Sequence, residues 1–395
     1  RASAPPRPFV VAIDLPSGLN PDTGALDPAT LAADFTVTFA FPKIGQLLFP
    51  GANAVGELVI ADIGIETEWA NEIKLKVASA NEIAEKLPPR ARDSHKGTFG
   101  KALICAGSEN YVGAAFLAGT AATRAGAGLV TLAIPRSIFS ALAASAHETT
   151  FLPLPAQNGA IISRAARVVR EKIAEYDALL IGPGLGRARG TVRFVQIVIA
   201  SPFRRAKQSP KNNSGIASSR NTFLAMTLPP LVIDADALFA LAQTREWWKK
   251  IAPQRAILTP HPGEMATLTG LARAEIQRDR IGVAKKFAEK WKQIVVLKGA
   301  HTIVAAPDDR ATIIPFATPA LATAGTGDVL AGTIVALCAQ MQGADEPRPY
   351  TYDAAIVGAY LHGCAGKIAE EEIGAAGVVA GDLLTRLPRA WERIE

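Results

Sequence analysis

Between Ala322 and Gln340 the chain reads ATAGTGDVLAGTIVALCAQ, with two glycines, a threonine and a carboxylate at the head of an apolar run. Gly325, Thr326 and Gly327 can turn several backbone N–H groups toward one point, and a helix behind them adds the positive end of its dipole. That point is an anion site. Asp328 stands at its lip, where a carboxylate can take a proton from a hydroxyl attacking a phosphoryl group held by the N–H groups. The chemistry is phosphoryl transfer to an alcohol. The same four residues also fit an ordinary helix start, since Asp is favoured in a first turn. Their context has to decide.

Other residues of the right type recur after apolar runs. In IVVLKGAHT a lysine and a hydroxyl flank a glycine, which suits phosphate or ribose oxygens but also fits a plain turn between strands. In TPHPGE, His261 lies between two prolines with Glu264 three residues on. A metal ligand, a structural hydrogen bonder and a substrate contact are all open for it, although no second His or Cys at ligand spacing supports a transition metal. Asp234 and Asp236 in IDADAL fit magnesium binding, loop orientation or helix capping. Gly182, Gly184 and Gly186 in IGPGLG, and Gly113 with Ala114, leave room for a large flat ligand or for tight packing. For the helix AGTAATRAGAG, packing is the preferred reading.

These residues need a frame, and the strand runs supply it. From Lys101, the runs KALICAG, LVTLAIP, ALLIGPGLG, PLVIDADAL, RAILTPHPGE and QIVVLKGAHTIVAA alternate with helical stretches. The rhythm predicts βαβ units: an α/β fold with a mostly parallel sheet and helices on both faces. Gly, Asp and His then fall at the carboxyl ends of strands, where open α/β sheets bind ligands. Upstream, strands at Phe9–Ile13, Phe35–Ala40 and Glu57–Ile63 with little helix make an incomplete domain. Thr67–Arg92 reads as a connector with a short helix closed by Pro88 and Pro89. Ser201–Asn221, rich in Ser, Asn, Lys and Arg, reads as a solvated surface insertion.

Composition narrows the class. With 395 residues, 49% hydrophobic content and 33 glycines, the chain reads as a soluble α/β enzyme with a large core. A net charge of +6, spread along the chain, argues against a nucleic-acid partner. No run has the length of a membrane span and no signal pattern opens the chain, so a cytoplasmic location is expected. Cys105, Cys338 and Cys364 stand far apart in apolar contexts, which reads as core in a reducing compartment. The first residue is Arg1, as in a fragment of a longer chain.

The stretch SHKGTFGKALICAGSENYVGAAFLAGTAATRAGAGLVTLAIP, followed in order by IGPGLG, DADAL, TPHPGE, KGAHT and AGTGD, resembles the nucleotide-dependent NAD(P)H-hydrate dehydratases of the ribokinase-like superfamily. The resemblance covers Ala78 to Glu395. Separately, VAIDLPSGLNPDTG and TVTFAFPKIGQLLFPGANAVGELVIADIGI resemble the tail of the NAD(P)H-hydrate epimerase domain that bacteria often fuse upstream. The implied organisation is a partial Rossmann-like epimerase remnant at 1–70, a connector at 71–92 and a dehydratase domain at 93–395 with a flexible insertion at 201–221.

The resemblance implies a carbon–oxygen lyase that restores the S epimer of NADHX or NADPHX to NADH or NADPH. ADP, or less favoured ATP, phosphorylates the ring hydroxyl, and phosphate is then eliminated. Asp328 would be the base, and Gly325, Thr326 and Gly327 the anion hole. Lys298, Gly299, Ala300, His301, Thr302 and Gly327 would bind the nucleotide. Ala114, Gly184, Gly186, His261 and Asp328 would meet the substrate, and Glu264 would organise Mg2+ through water. In the N-terminal segment Asp14 would contact substrate and Ser17 would ligate K+, were that site complete. Because the phosphate loop of that domain is missing here, loss of epimerase activity is expected. Family members commonly form homo-oligomers. Two other classes remain open: a vitamin or sugar-alcohol kinase of the same superfamily, and a non-catalytic nucleotide-binding module.

Overall fold

The computed structural model describes residues 7–200, 228–342 and 350–394, and divides into two compact units between Val77 and Ala78. The insertion expected at 201–221 lies outside the described residues.

In the first unit β1 (Val11–Ile13), β2 (Phe35–Phe39) and β3 (Glu57–Ala61) pair in parallel in that order. Parallel strands normally lie buried on both faces. Three short strands cannot achieve that, and Val11, Ile13 and Ile60 stay 49%, 65% and 50% exposed. On β2, Thr36 and Thr38 are fully buried, and the Thr36 hydroxyl satisfies itself on Val55 O at 2.5 Å. The chain leaves β1 through Asp14, whose φ of +64° is rare for a residue with a side chain. Its backbone is braced at both ends, N–H to Val37 O and carbonyl to Gln46 Nε2, each at 2.8 Å.

The second unit is built on β4 (Lys101–Cys105), β5 (Leu129–Pro135), β6 (Thr150–Leu154), β7 (Ala178–Ile181), β8 (Leu231–Ile233), β9 (Ala256–Leu258), β10 (Ile294–Leu297), β11 (Ile303–Ala305) and β12 (Ala311–Ile313). Across the sheet they run β12-β11-β10-β9-β8-β7-β4-β5-β6. The chain starts at β4, moves outward to β5 and β6, then returns to the other side of β4 and continues through β7 to β10. All these neighbours are parallel. Only β11 and β12 add on antiparallel. This is the mostly parallel sheet with helices on both faces that the strand rhythm predicts. The reversal of direction between β4 and β7 opens a crevice at their carboxyl ends.

Every residue of β7 to β12 is buried, as the near-continuous apolar runs require. Helix α1 (Val112–Arg124) lies against α4 (Thr326–Met341), which in turn packs on α5 (Thr351–Ile373). The small residues of α1 serve this packing: a Cβ at Gly332 of α4 would sit 2.2 Å from Ala118 O of α1. From Val329 to Met341 α4 is buried throughout. Truncating one of its core side chains, such as Ile334→Ala, costs about 2–5 kcal/mol, so the first turn of α4 rests on a rigid base. Among the described residues no helix is long and apolar enough to cross a membrane.

Candidate active site

The anion turn forms as its residue types require. Gly325 opens α4 at φ +93°, and a Cβ there would be 2.7 Å from Leu117 Cδ1 and 3.0 Å from Ala380 Cβ. Both conformation and space demand glycine. The Thr326 hydroxyl donates inward to Leu321 O and Thr323 O, each at 2.9 Å, and its N–H bonds Thr323 O at 3.4 Å, so Thr326 is spent on holding the turn. Beneath it, His362 of α5 donates through Nε2 to Thr326 O at 2.9 Å. Burial pushes the His362 pKa down to about 4, so the ring stays neutral and holds the turn without adding charge. Bonds of α4 begin with Val329 N–H to Gly325 O at 3.2 Å, which leaves the first-turn N–H groups of Gly327 and Asp328 outside the helix ladder.

Asp328 follows directly. Burial, and after it the charge of Asp234, push its carboxyl up to about 7, against the opposing pull of Lys298. Lys298, at the end of β10, reaches the same place from the other side. Its Nζ is 2.9 Å from Asp234 Oδ1 and 3.5 Å from Glu264 Oε2, and a Cβ at Gly327 would lie 3.4 Å from it. Burial opposes the Lys298 charge, but the attraction of Asp234 and Glu264 outweighs it and holds the ammonium above its usual range. Asp234 is 1% exposed and also accepts from the Thr259 hydroxyl at 2.7 Å. It is therefore the fixed counter-charge of Lys298. Asp236 does something else: it accepts from Gly186 N–H and Arg187 Nε, both at 2.9 Å, and so anchors the loop after β7.

The segment Lys298–Thr302 is the loop joining antiparallel β10 and β11, with Gly299 and Ala300 exposed. Lys298 N–H bonds Pro260 O and His301 N–H bonds Phe316 O, both at 2.9 Å, while the Thr302 hydroxyl closes the turn onto Gly299 O at 3.0 Å. Arg280, the first residue of α3 (Arg280–Trp291), donates to Ala300 O and, at 3.2 Å, to Leu297 O. Its guanidinium is desolvated enough for its pKa to fall to about 10, and its buried Nε has no partner. Arg280 had no signal in the sequence, because a basic residue at a helix start is normally solvated.

His261 caps α2 (Pro262–Thr269). Its Nδ1 accepts from Gly263 N–H at 3.0 Å and Glu264 N–H at 3.2 Å, and Glu264 Oε2 returns to His261 N–H at 2.8 Å. With Nδ1 committed, Nε2 carries the proton; it faces Glu264 Oε1 at 3.5 Å and is the half of the ring a ligand would have to reach. Burial lowers the His261 pKa, which keeps the ring neutral. Glu264, expected to organise magnesium, is first of all half of this capping box and a neighbour of Lys298. Among the described residues no group of three or more His, Cys, Asp and Glu could hold a metal ion.

At the reversal point, Gly107 N–H bonds Pro183 O and Ser108 Oγ bonds Gly184 O, each at 2.8 Å. A Cβ at Gly184, where φ is +61°, would lie 2.7 Å from the Cβ atoms of both Ala114 and Tyr111. The chain's own packing thus accounts for glycine at 184. Beside Gly113 the space is open, and at Gly186 a Cβ would meet only Ser108 Oγ at 3.9 Å.

In the first unit Asp14 Oδ1 accepts from Lys43 Nζ, from the Thr38 hydroxyl at 3.0 Å and from Phe39 N–H at 3.2 Å. The Lys43 bond holds its carboxyl below the usual range. Ser17 lies exposed in the turn after Pro16. Lys43 escaped sequence reasoning, although a cation just beyond a parallel strand was a usable signal.

Comparison with known proteins supplies the family. The NAD(P)H-hydrate dehydratase family model matches residues 102–203 and 211–389, and that of the YjeF-related protein N-terminus matches 2–45. The bifunctional NAD(P)H-hydrate repair enzyme Nnr of Moorella thermoacetica is 41% identical over 98% of the chain and 67% of its own length. The enzyme of that name from Escherichia coli is 33% identical over 98% of the chain and 66% of its own. The chain thus spans about two thirds of these relatives. A crystal structure of the ADP/ATP-dependent NAD(P)H-hydrate dehydratase of Bacillus subtilis, co-crystallised with ATP/Mg2+, superposes with a TM-score of 0.64 at 30% identity, covering 82% of this chain and all of that one. A ribokinase-like protein of Enterococcus faecalis, 22% identical with a TM-score of 0.63, shares the fold. The N-terminal match is to the YjeF family itself, and nothing in it supports reading the segment as an inactive remnant. The chain belongs to the NAD(P)H-hydrate repair enzymes, with an NAD(P)H-hydrate dehydratase domain behind a YjeF-type segment.

Proposed function

We propose that this chain dehydrates the S epimer of NADHX and NADPHX in two steps, phosphorylation of the ring hydroxyl followed by loss of phosphate. The observation that carries the reading is Asp328: a carboxylate at the mouth of an anion turn, with Lys298 alongside and its own pKa raised to about 7. A base of that strength takes a hydroxyl proton near neutral pH. As it does so, the hydroxyl oxygen attacks the terminal phosphorus and the bond to the donor's bridging oxygen breaks. The N–H groups of Gly327 and Asp328, with Lys298, meet the charge on the moving phosphoryl group. Elimination then breaks the carbon–oxygen bond, assisted by the ring nitrogen's electron pair, and loss of a proton from the neighbouring carbon restores the dihydropyridine.

The Lys298–Thr302 loop carries the donor nucleotide, with Arg280 beneath it as support. The substrate lies over Ala114, Gly184 and Gly186 with its ring toward His261 Nε2 and Asp328. ADP is taken as the donor, because the fused arrangement resembles the bacterial one that generally uses it. A magnesium ion on the donor phosphates needs only one or two carboxylates, and Glu264 would supply one through water. The ion would neutralise phosphate charge. In the first unit, Asp14 and Ser17 are assigned to the substrate and a potassium ion of an epimerase site.

The test follows dihydronicotinamide absorbance when the protein meets both NADHX epimers with magnesium and potassium, given ADP, ATP or no nucleotide. Nucleotide-dependent recovery is expected. Recovery without nucleotide, or a phosphorylated product that persists, overturns the reading, the latter in favour of a kinase. Recovery that halts when the S epimer is spent, against recovery that runs on, reports whether the first unit epimerises.

A further inference from the structure

A cleft of about 720 Å³ lies beyond the residues assigned so far, lined by Arg136, Ser137, Gln157, Asn158 and Arg164 among others. Arg136 and Ser137 follow directly on the carboxyl end of β5, and the neighbouring β6 ends at Leu154. Arg164 stands at the start of the helix Ala165–Lys172, whose positive end adds to its charge. Two exposed guanidiniums, a hydroxyl and two amides on one concave wall form an anion-recognition surface, and arginine is the cation suited to phosphate.

One wall of the cleft is tied to the loop after β4, which borders the crevice. At the turn Asn158–Gly159, Gly159 O accepts from Glu109 N–H at 2.9 Å, and the Glu109 carboxylate rests against Gly159. Glu109 belongs to the loop after β4, between Ser108, which bonds Gly184 O, and the half-exposed Tyr111. Strand counting gives the scale. From β8, which carries Asp234, to β5 are three steps through β7 and β4, or about 14 Å at about 4.8 Å per step. An extended dinucleotide covers a span of that order.

We propose that this cleft holds the phosphate groups of the substrate's ADP-ribose arm, through Arg136 and Arg164. The assignment rests on the dinucleotide substrate of the proposed function and places that substrate's far end opposite the donor loop. The phosphate is either the 2′-phosphate that NADPHX alone carries or the pyrophosphate common to both substrates.

The experiment titrates the full chain with 2′-phospho-ADP-ribose and with ADP-ribose, the donor site first saturated with a non-hydrolysable nucleotide. It compares wild type, Arg136→Ala, Arg164→Ala and the double variant. Both arginines are exposed, so folding is checked by an unchanged melting temperature. The double variant is expected to lose at least tenfold in affinity. Loss confined to the 2′-phosphorylated ligand assigns the 2′-phosphate, and equal loss for both ligands assigns the pyrophosphate. Equal binding by wild type and double variant, or no binding by wild type, overturns the proposal. Ligand binding without recovery of dihydronicotinamide absorbance on NADHX would instead sink the proposed function and leave this site standing.

Discussion

Two aspartates, one in each unit, stand at the mouths of loops and have been pushed in opposite directions. Asp14 keeps 36% of its side chain in solvent and has the Lys43 ammonium on its carboxylate, which holds it below the usual range. Asp328 is withdrawn from water and faces Asp234, and its carboxyl rises to about 7. A lysine stands near each. The difference is that Lys298 is shared with Asp234 and Glu264, and its pull on Asp328 is outweighed by burial and the charge of Asp234, whereas Lys43 is bonded to Asp14 itself. Proximity to a cation therefore does not decide acid strength; what else the cation holds, and how much water remains, does. Near neutral pH only the second arrangement yields a working base.

The largest effect belongs to Asp328→Asn. Turnover of S-NADHX should fall by about 10²–10⁴-fold, the usual worth of a general base, while the nucleotide affinity measured by titration stays within about twofold. A fall in affinity with turnover intact would break the contrast between the two aspartates. The wild-type pH profile should rise tenfold per unit and level off near pH 7, and this limb should be lost in the variant.

Stability carries the same information with its own sign. A folded pKa above the unfolded value of about 3.8 favours the protonated folded state, so the wild-type contribution is present below pH 4 and lost as pH rises through about 7. Asp328→Asn should accordingly gain in melting temperature relative to wild type between pH 5 and pH 8. For Asp14 the sign is reversed: its contribution is present above the ordinary carboxylate range and lost as pH falls through its lowered folded value.

Lys298→Met comes next. Removing the ammonium leaves Asp234, 1% exposed, without its partner, so a loss of about 3–5 kcal/mol in stability is expected from denaturant titration. In the folded fraction the nucleotide KM should rise about 10–100-fold, the worth of one charge-assisted phosphate contact or two. The inflection of the pH profile should also move upward, because Lys298 opposes the rise in the Asp328 pKa. Lys298→Arg keeps the charge and should restore stability before it restores KM, since a planar fork does not reproduce a point charge in this space.

The sequence made most of the sheet legible because buried parallel strands are written as uninterrupted apolar runs: β4, β5 and β7 to β11 follow those runs, whereas the half-exposed edge strand β6 does not. It also placed Asp328, Lys298 and His261 at strand or helix ends around one crevice, from glycine and proline punctuation alone. What escaped was pairing between distant residues. That Asp234 belongs to Lys298 and Asp236 to the Gly186 loop depends on which way two neighbouring carboxylates point, which no local pattern records. His362 under the anion turn was invisible for a similar reason, being one polar residue on an otherwise apolar helix. For Glu264 the spacing His-x-x-Glu that suits a ligand shell also closes a capping box, a second role that the sequence did not single out. At Gly184, where the sequence left ligand room and tight packing both open, packing against Ala114 and Tyr111 is what the structure shows.

The smallest effect, and the sharpest test of the contrast, is Lys43→Met. Lys43 Nζ also bonds the Thr38 hydroxyl at 2.9 Å and Phe39 O at 3.2 Å, so its removal loosens a partly exposed network and should lower the melting temperature by only a few degrees. The informative readout is the Asp14 carboxyl followed by NMR titration. With its first cause removed, its pKa should return toward the ordinary carboxylate range, held below it only by the Phe39 N–H and Thr38 bonds. It should not climb toward 7, because Asp14 lacks the burial that raises Asp328. A rise to that level would mean that Lys43, rather than exposure to water, keeps Asp14 from being a second base, and the distinction drawn between the two aspartates would have to be rebuilt on charge alone.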